Sequence, residues 1–449
     1  MISETRIVLK NIGNIDPESV DDYMAAGGYE ALKKALAMKP GSIIDEITEA
    51  GLRGRGGAGF STGTKKKFTS QGCQECPQRY VVVNADEGEP GTFKDRVIME
   101  QDPHLYLEGT IIAAYSIGAS KGYIYIRGEY YQSIAMTRKA IEAAYQKGFL
   151  GKNILGSGFD FDVEIKLGAG SYLCGEELTM LESLEGKRGN PRIKPPFPAE
   201  KGLFDMPTLV NNVETLANVP SIILHGTDWY RQFGTERSPG TKVFTISGKV
   251  NKPGYYETTF GVTLRQLIDD LAGGMAEDKQ FKAALLGGAA GTFVDSSMLD
   301  EKLTYDNLRE KEATLGSGAV IVLDEDDDVF TVLHNCLRFF KHESCGKCVP
   351  CRVGTSLLVE NLKNLRNGSY GHAGSNTQNI HAIPQNNGNN IEDNNDHKEE
   401  ASNESKKKTD ILNQMIRESE IMAATSLCPL GQSPILPLKS AVKYFAGEL

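Results

Sequence analysis

GLRGRGGAGFSTGTKKKF, residues 51–68, is the stretch whose reading decides the fold. Five of its first nine residues are glycine, two arginines stand among them and three lysines follow. Glycine permits positive φ and lets backbone N–H groups approach a ligand closely. Arginine and lysine supply charge-assisted donors to an anion. The stretch reads as a loop around a phosphorylated or otherwise anionic cofactor; the alternative is a flexible surface loop. A helical pattern precedes it, with Ser42 as its cap and Ile43, Ile44, Ile47 and Ala50 on one stripe. A dinucleotide fingerprint follows a strand and a P-loop ends in GK[ST]. This loop does neither, so the sequence predicts another kind of cradle.

Outward from the loop, strands and helices alternate. Upstream, Arg6-Ile7-Val8-Leu9 reads as a short strand, and helical patterns cover 19–26 and 28–37. Downstream, Tyr80 to Val83 is a buried strand that runs into NADEGEPG, residues 84–91. Ligands in α/β sheets bind beyond the carboxyl ends of strands, so this acidic loop is a candidate for holding ribityl, ribose or amide groups. Asp102-Pro103 signals a helix start with an aspartate cap, followed by an apolar, buried helix to Ile117. Tyr123–Ile126 and 161–167 read as strands, and 130–146 as a helix. GAGSYLCGEE, residues 168–177, is a second glycine-rich strand exit, with Glu176 and Glu177 in the first turn of a helix, where the dipole favours carboxylates. KPPFP, residues 194–198, is a stiff proline segment, and NNVET, residues 211–215, opens another helix. The first half is therefore an α/β layer structure.

At 449 residues the chain is long enough for two to four domains. Its net charge of −10 argues against nucleic acid as the main partner. No apolar run reaches membrane-spanning length, and the first residues lack a secretory pattern. The expected location is cytoplasmic, with peripheral attachment at the inner face of the membrane as an option. There the eight cysteines are metal ligands or free thiols rather than disulfides. From residue 240 to 325 the pattern becomes a small, mostly β domain with one helix. The last third, 326–449, is helical. Within it, 367–408 is rich in Asn, Gly, Ser, Lys and Glu, and reads as a disordered insertion.

The chemistry of the last third lies in SCGKCVPC, residues 344–351, and in Cys428. Three thiols at x2 spacing, Cys345, Cys348 and Cys351, with a distant fourth before proline, suit the corners of a 4Fe–4S cubane. Structural zinc, usually held by paired C-x2-C units, and unligated cysteines are the alternatives. The residues between Cys351 and Cys428 are no obstacle, because loop entropy grows slowly with length. Cys73 and Cys76 form an isolated C-x2-C and read as a surface thiol pair, with a redox role as the alternative. Cys174 and Cys336 read as small buried residues, and His334 and His342 as structural.

Taken together, GLRGRGGAGF…K, NADEGEPGTFKDR, GAGSYLCGEE, KPPFP, NNVET and SCGKCVPC…C resemble one family. It is the flavin- and NADH-binding subunit of respiratory complex I and of NAD-reducing hydrogenases, NAD-dependent formate dehydrogenases and electron-bifurcating enzymes. The resemblance implies an α/β flavin domain over 1–239, a β-grasp-like domain over 240–325 and a helical bundle over 326–449 carrying the cluster. It implies that Gly54, Arg55, Gly56, Gly57 and Lys65 cradle FMN, with Asn84, Asp86, Glu87, Gly175, Glu176, Asn211, Asn212 and Thr215 completing the pocket. Phe60, Phe68, Glu89, Glu177, Lys194 and Phe197 would hold NADH. Cys345, Cys348, Cys351 and Cys428 would hold the 4Fe–4S cluster.

The implied function is that of an NADH dehydrogenase (diaphorase) subunit. Hydride passes from NADH to FMN, and single electrons leave through the cluster. The implied partners are a thioredoxin-like 2Fe–2S subunit and a larger iron–sulfur subunit. No side-chain acid or base is needed. The alternative context is an NAD(P)H-handling flavin subunit of a soluble bifurcating hydrogenase, transhydrogenase or formate dehydrogenase. Two positions depart from the family pattern: Ser61 where proline is usual, and Lys66 where tryptophan is usual. The second predicts altered packing below the flavin, and extra charge that lets NADPH compete.

Overall fold

A computed structural model describes residues 2–73, 75–368 and 396–449, with side chains described outside 396–405. Its first layer is a sheet of β1 (Tyr80–Ala85), β2 (Lys121–Arg127), β3 (Asp162–Gly168) and β4 (Thr208–Asn212). The order is β3-β2-β1-β4 and every pairing is parallel. Val81, Val82 and Val83 are all buried, as a parallel strand covered on both faces requires. The register sets Val83 beside Asn211 and Asn84 beside Asn212, so two strands release their amide side chains at one level. The helix Pro103–Ile117 packs against this sheet and is buried on all sides. Gly109 lets it approach the helix Val213–Ala217 as well, because a Cβ there would collide with the Leu216 carbonyl.

A second sheet follows, of β5 (Thr241–Gly248), β6 (Gly254–Thr259), β7 (Phe281–Leu286), β8 (Thr292–Val294) and β9 (Ala319–Asp324). Its order is β6-β5-β9-β7-β8, with β5 and β9 parallel and the other pairings antiparallel. The helices Val329–Glu343, Val349–Arg366, Asp396–Thr425 and Ile435–Phe445 complete the chain around their own apolar core. No helix among the described residues is long and apolar enough to cross a membrane.

Four expectations change. Arg6–Leu9 is not a strand. The N–H groups of Ile7, Val8 and Leu9 instead converge on the buried carboxylate of Glu257 in β6, at 2.8–3.0 Å. A carboxylate thus takes the place of a neighbouring strand. The third helix starts at Pro40 with Lys39 at the cap position, three residues earlier than a Ser42 cap, which matches the preference for proline in the first turn. Asp102 precedes its helix without capping it through its side chain; its carboxylate accepts from Asn11 Nδ2 at 2.8 Å. The expected insertion, 367–408, is helical from Asp396 onward. Its alanine, glutamate and lysine are good helix formers, and the docked remainder of that helix supplies the packing that low apolar content cannot. Residues 369–395 lie outside the described residues.

The two sheets are tied by buried charge. Glu214, just after β4, accepts from Lys242 Nζ at 2.6 Å and from the Val243 N–H at 2.9 Å, both in β5, and lies 2.9 Å from Lys94 Nζ. Lys94 also contacts Asp95 at 2.8 Å and Asn212 Oδ1 at 3.1 Å. All of these charged groups are buried. Burial raises the cost of ionising Glu214, yet Lys242 and Lys94 outweigh it and hold its carboxyl below the usual range.

Candidate functional site

The glycine loop connects the helix Pro40–Glu49 to the helix Thr62–Gln71. It is closed by Gly54 N–H to the Phe60 carbonyl at 2.8 Å and Thr62 N–H to the Leu52 carbonyl at 2.9 Å. Ser61 caps the second helix by accepting from the Thr64 N–H, so the absent proline is replaced by a polar cap. The loop rests on the end of β4: a Cβ at Gly56 would lie 3.1 Å from Asn212 Cβ, and the Arg55 N–H donates to Thr215 Oγ1 at 2.8 Å. Gly57 has φ +144° and open space around its missing Cβ. The loop therefore opens a concavity at the level where β1 and β4 end.

Around that concavity the structure gathers Gly56, Gly57, Asn84, Asp86, Gly175 and Asn211. Asn84 Nδ2 donates to the Gly175 carbonyl at 2.9 Å, and Asn84 Oδ1 accepts from the Asp86 N–H at 3.1 Å. Asp86 Oδ2 and Asn211 Oδ1 are buried with no protein donor. Burial pushes the Asp86 carboxyl up to about 7. Buried acceptors cost free energy unless something bonds them. Two unsatisfied acceptors beside an open glycine cradle fit a ligand that carries donors, as the rim of a flavin ring does.

Other residues assigned to the cofactor are committed to the protein instead. The Arg55 guanidinium is fully buried, bonded to the carbonyls of Thr241, Arg53 and Pro239 and to Tyr230 Oη, and it lies over the Phe260 ring. It braces the loop and offers no charge to a phosphate. Glu87 accepts from the N–H groups of Asp95 and Arg96 at 2.8 and 3.0 Å, so it caps the helix Lys94–Gln101. The Asn212 amide is shared between Lys94 and Asp95, and Thr215 is buried beneath the loop. Glu89 joins Tyr172 Oη at 2.6 Å to the Ala290 N–H at 2.9 Å, linking the first sheet to the second. These partners come from distant parts of the chain, which local reading cannot supply. Lys94 and Glu214 do lie inside the KDR and NNVET motifs, a signal that sequence reasoning left unused; Lys242 carries none.

The cleft beside the cradle is lined by alternating charge. Glu177 binds Lys65 at 3.0 Å and Lys194 at 2.9 Å, and Lys194 binds Glu176 at 2.8 Å. Burial works against Glu177, but the two lysines dominate and hold it down at about 2. Glu176 caps the helix Glu177–Leu184 through the Thr179 N–H. Three aromatic rings expected at the dinucleotide stand about half exposed: Phe60 (50%), Phe68 (55%) and Phe197 (52%).

Of the three lysines, Lys67 is exposed and Lys65 partly exposed. Lys66 turns inward, wholly buried, with Ser116 Oγ at 3.5 Å as its nearest polar partner. It therefore adds no charge to the cleft, which removes the reason for expecting it to admit NADPH. Burial pulls its pKa from 10.5 down to about 7. Below about 7 the folded chain carries the full cost of a buried charge; between there and 10.5 the unfolded chain binds more protons, so that cost fades as pH rises. Lys66→Met is expected to raise stability at pH 7 by on the order of a few kcal/mol. The gain should shrink towards pH 10, as read by urea denaturation at both pH values; a gain independent of pH would contradict the assignment.

The cysteines expected to hold a cluster come together. Cys351 and Cys428 pack with Leu173, Phe340 and Leu430, and Cys345 and Cys348 lie against them. Cys348 precedes the helix Val349–Arg366, whose dipole favours a thiolate. Burial pushes the Cys428 thiol up to about 11, so its thiolate needs a cationic partner such as iron. Among the described residues no three His, Cys, Asp or Glu side chains are set around a single ion. A cubane presents an iron at each corner and takes thiols set wider than one zinc does. Cys174 and Cys336 are buried free thiols. Cys73 and Cys76, expected as a thiol pair, are joined in a disulfide.

Comparison with known proteins agrees with this geometry. The Nuo51 FMN-binding domain matches residues 47–221, an SLBB domain 243–290, and the NADH-ubiquinone oxidoreductase-F iron-sulfur binding region 331–385. The last match includes Cys345, Cys348 and Cys351 and ends before Cys428. The chain is 42% identical to the NADP-reducing hydrogenase subunit HndC of Solidesulfovibrio fructosivorans, over 99% of this chain and 83% of that one. It is 52% identical to the F subunit of the NADH-quinone oxidoreductase of Aquifex aeolicus (strain VF5), over 78% of this chain and 80% of that one. The crystal structure of an NAD+-reducing [NiFe]-hydrogenase in the H2-reduced state matches with a TM-score of 0.78 and 33% identity. There the match covers 99% of this chain and 66% of the hydrogenase chain. The chain belongs to the family of F-type flavin and iron–sulfur subunits shared by NADH-quinone oxidoreductases and NAD(P)-reducing hydrogenases. Its cofactors are FMN, NAD(H) and a 4Fe–4S cluster.

Proposed function

We propose that this chain is the NADH dehydrogenase (diaphorase) subunit of a larger redox complex. The observation that carries the reading is the short turn Tyr172–Gly175. Its Gly175 carbonyl is held by Asn84 at the cradle, while Leu173, two residues earlier, packs on Cys351 and Cys428. Flavin pocket and cluster pocket thus share one turn, an arrangement suited to passing electrons between them. FMN held there would supply a hydride acceptor able to part with electrons singly, and a 4Fe–4S cluster held by the four cysteines would supply a one-electron acceptor.

The chain's own residues bind and orient. In this reading Gly54, Gly56 and Gly57 bring backbone against FMN, and Asn84, Asp86 and Asn211 meet its polar edges. Phe60, Phe68 and Phe197 stack the dinucleotide, and Glu177 with Lys65 and Lys194 sets its polar groups. Cys345, Cys348, Cys351 and Cys428 hold the cluster. The domains divide at about 239 and 325. The middle sheet is β-grasp-like, its order β6-β5-β9-β7-β8 placing first and last strands side by side at the centre, and the last third is a helical bundle. Partners are a thioredoxin-like 2Fe–2S subunit and a larger iron–sulfur subunit, in the cytoplasm or at the inner face of a membrane. Purified protein supplied with FMN should show a flavin spectrum bleached by NADH under anaerobic conditions; no flavin uptake would defeat the proposal.

Two contexts fit this function, a quinone reductase and a hydrogenase, since relatives of both kinds match over more than nine-tenths of the chain. Copurification of the native complex decides between them, by whether hydrogenase or quinone reductase activity travels with this chain.

A further inference from the structure

One cysteine pair lies outside everything assigned above. Cys73 and Cys76 form a disulfide between residues three apart, while the other six cysteines are free thiols. A chain that keeps cluster-binding cysteines as thiols works where thiols persist, and a disulfide formed in such surroundings is characteristically a redox-active one. Cys73 is exposed and open to attack by an external thiolate. So short a loop restricts the unfolded chain least, which makes stability a weak reason for the bond.

Its position gives a stronger reason. The pair closes the turn immediately after the helix Thr62–Gln71, which carries Lys65 and Phe68. Gly72 ends that helix with its N–H on the Phe68 carbonyl at 2.8 Å, and a Cβ on Gly72 would run into the Ala199 carbonyl. Ala199 lies in the helix Pro198–Lys201, whose N-cap is Phe197. Beyond the pair, Arg79 Nη2 reaches back to the Ser70 carbonyl at 3.4 Å. The disulfide therefore lies next to the point where the element bearing Phe68 meets the element bearing Phe197.

We propose that Cys73 and Cys76 form a thiol–disulfide exchange site that sets the affinity of the dinucleotide cleft. The proposal rests on the assignment of Phe68 and Phe197 above. The reductant is a protein dithiol. Its thiolate attacks Cys73 Sγ, the Cys73–Cys76 bond breaks, and Cys76 leaves as a thiolate that takes up a proton. The second thiol of the reductant then closes the reductant's own disulfide and releases Cys73 as a thiol. Two electrons and two protons pass to the pair, and the reductant is oxidised. Once reduced, the turn no longer holds Gly72 on Ala199 and the two rings lose their fixed spacing. NADH then binds more weakly while the chemical step is unchanged.

The test uses the holoenzyme as isolated and after incubation with reduced thioredoxin, which is then removed. Differential alkylation with mass spectrometry reads the thiols, and NADH oxidation with ferricyanide gives KM and kcat. Reduction should free two thiols, at 73 and 76, and raise KM several-fold with kcat unchanged. Cys76→Ser should show the high KM from the start and no response to thioredoxin. Free thiols at both positions without reductant, or an unchanged KM after full reduction, would overturn the proposal. Absence of NADH oxidation in the untreated holoenzyme would defeat the function assigned to the chain, and the affinity effect with it. The alkylation result decides the exchange chemistry on its own.

Discussion

Cys428→Ala should lose iron by more than about tenfold, since even residues that only support metal ligands cost 10- to 100-fold when removed. Electron delivery to any acceptor beyond the cluster should fall to background. NADH oxidation with ferricyanide should survive in part, because Asn84 meets the Tyr172–Gly175 turn at Gly175 while Cys428 packs on its Leu173. The local reason is steric as well as chemical. Cys428 is 5% exposed and packs with Leu173, Phe340, Cys351 and Leu430. Gly431, three residues on, lies so close to Cys351 that an added Cβ would come within 2.8 Å of Cys351 Cβ. The two segments are therefore fixed against each other before any cluster binds, and alanine removes a ligand without removing the pocket. Cys336→Ala, at a buried free thiol in the helix Val329–Glu343, is the control and should keep its iron. Iron content unchanged in Cys428→Ala would refute the ligand set.

What could be read from the sequence follows a physical divide. Val81–Val83 announce a parallel strand because burial on both faces demands a continuous apolar run. The glycines at 56 and 57 announce a cradle because close packing on Asn212 and a positive φ exclude side chains there. Such signals are local. The charged residues carry no comparable signal. Arg55 and Glu87 suit a ligand on paper because a loop of charges beside glycines suits an anion. Their true partners, Tyr230 and Thr241 for one and the Asp95 and Arg96 N–H groups for the other, are set only by the folded chain. Lys66 shows the same effect in reverse. Its neighbours Lys65 and Lys67 reach the surface, yet helix periodicity turns Lys66 to the inner face, where burial outweighs the usual preference of lysine for water. Ile7–Leu9 have the alternation of a strand, and what they meet is a carboxylate. For Cys73 and Cys76 a C-x2-C spacing fits thiols, metal or disulfide alike, and the surrounding turn decides.

Glu214→Gln should cost about 3–5 kcal/mol, the range for removing one partner of a buried ion pair, and urea unfolding of the purified chain measures it. The substitution keeps the shape and leaves an amide oxygen for the Val243 N–H, so the loss reports the charge. Lys94 and Lys242 are then left buried beside each other without the carboxylate between them, with Asp95 and Glu87 acting on Lys94. Replacing Lys94, Glu214 and Lys242 together by Met, Leu and Met should cost less than the single change, since no charge is left unpaired. A smaller effect in the single variant than in the triple would overturn the argument. The pH dependence has a definite sign. Burial raises the Glu214 pKa, the lysines lower it more, and the folded value lies below the ordinary 4.5. Its contribution is therefore complete above 4.5 and lost as pH falls through the folded value, so wild type and Glu214→Gln should converge in acid. Lys242 moves the other way. Burial brings it down to about 7 even with Glu214 present. Without the carboxylate it should release its proton at lower pH still, so the part of the Glu214→Gln loss that Lys242 carries should fade as pH rises towards about 7; above that both chains gain stability alike up to 10.5, where an unfolded lysine gives up its proton. Because the same network holds the Asn212 amide at the end of β4, the variant should also release FMN more readily than wild type.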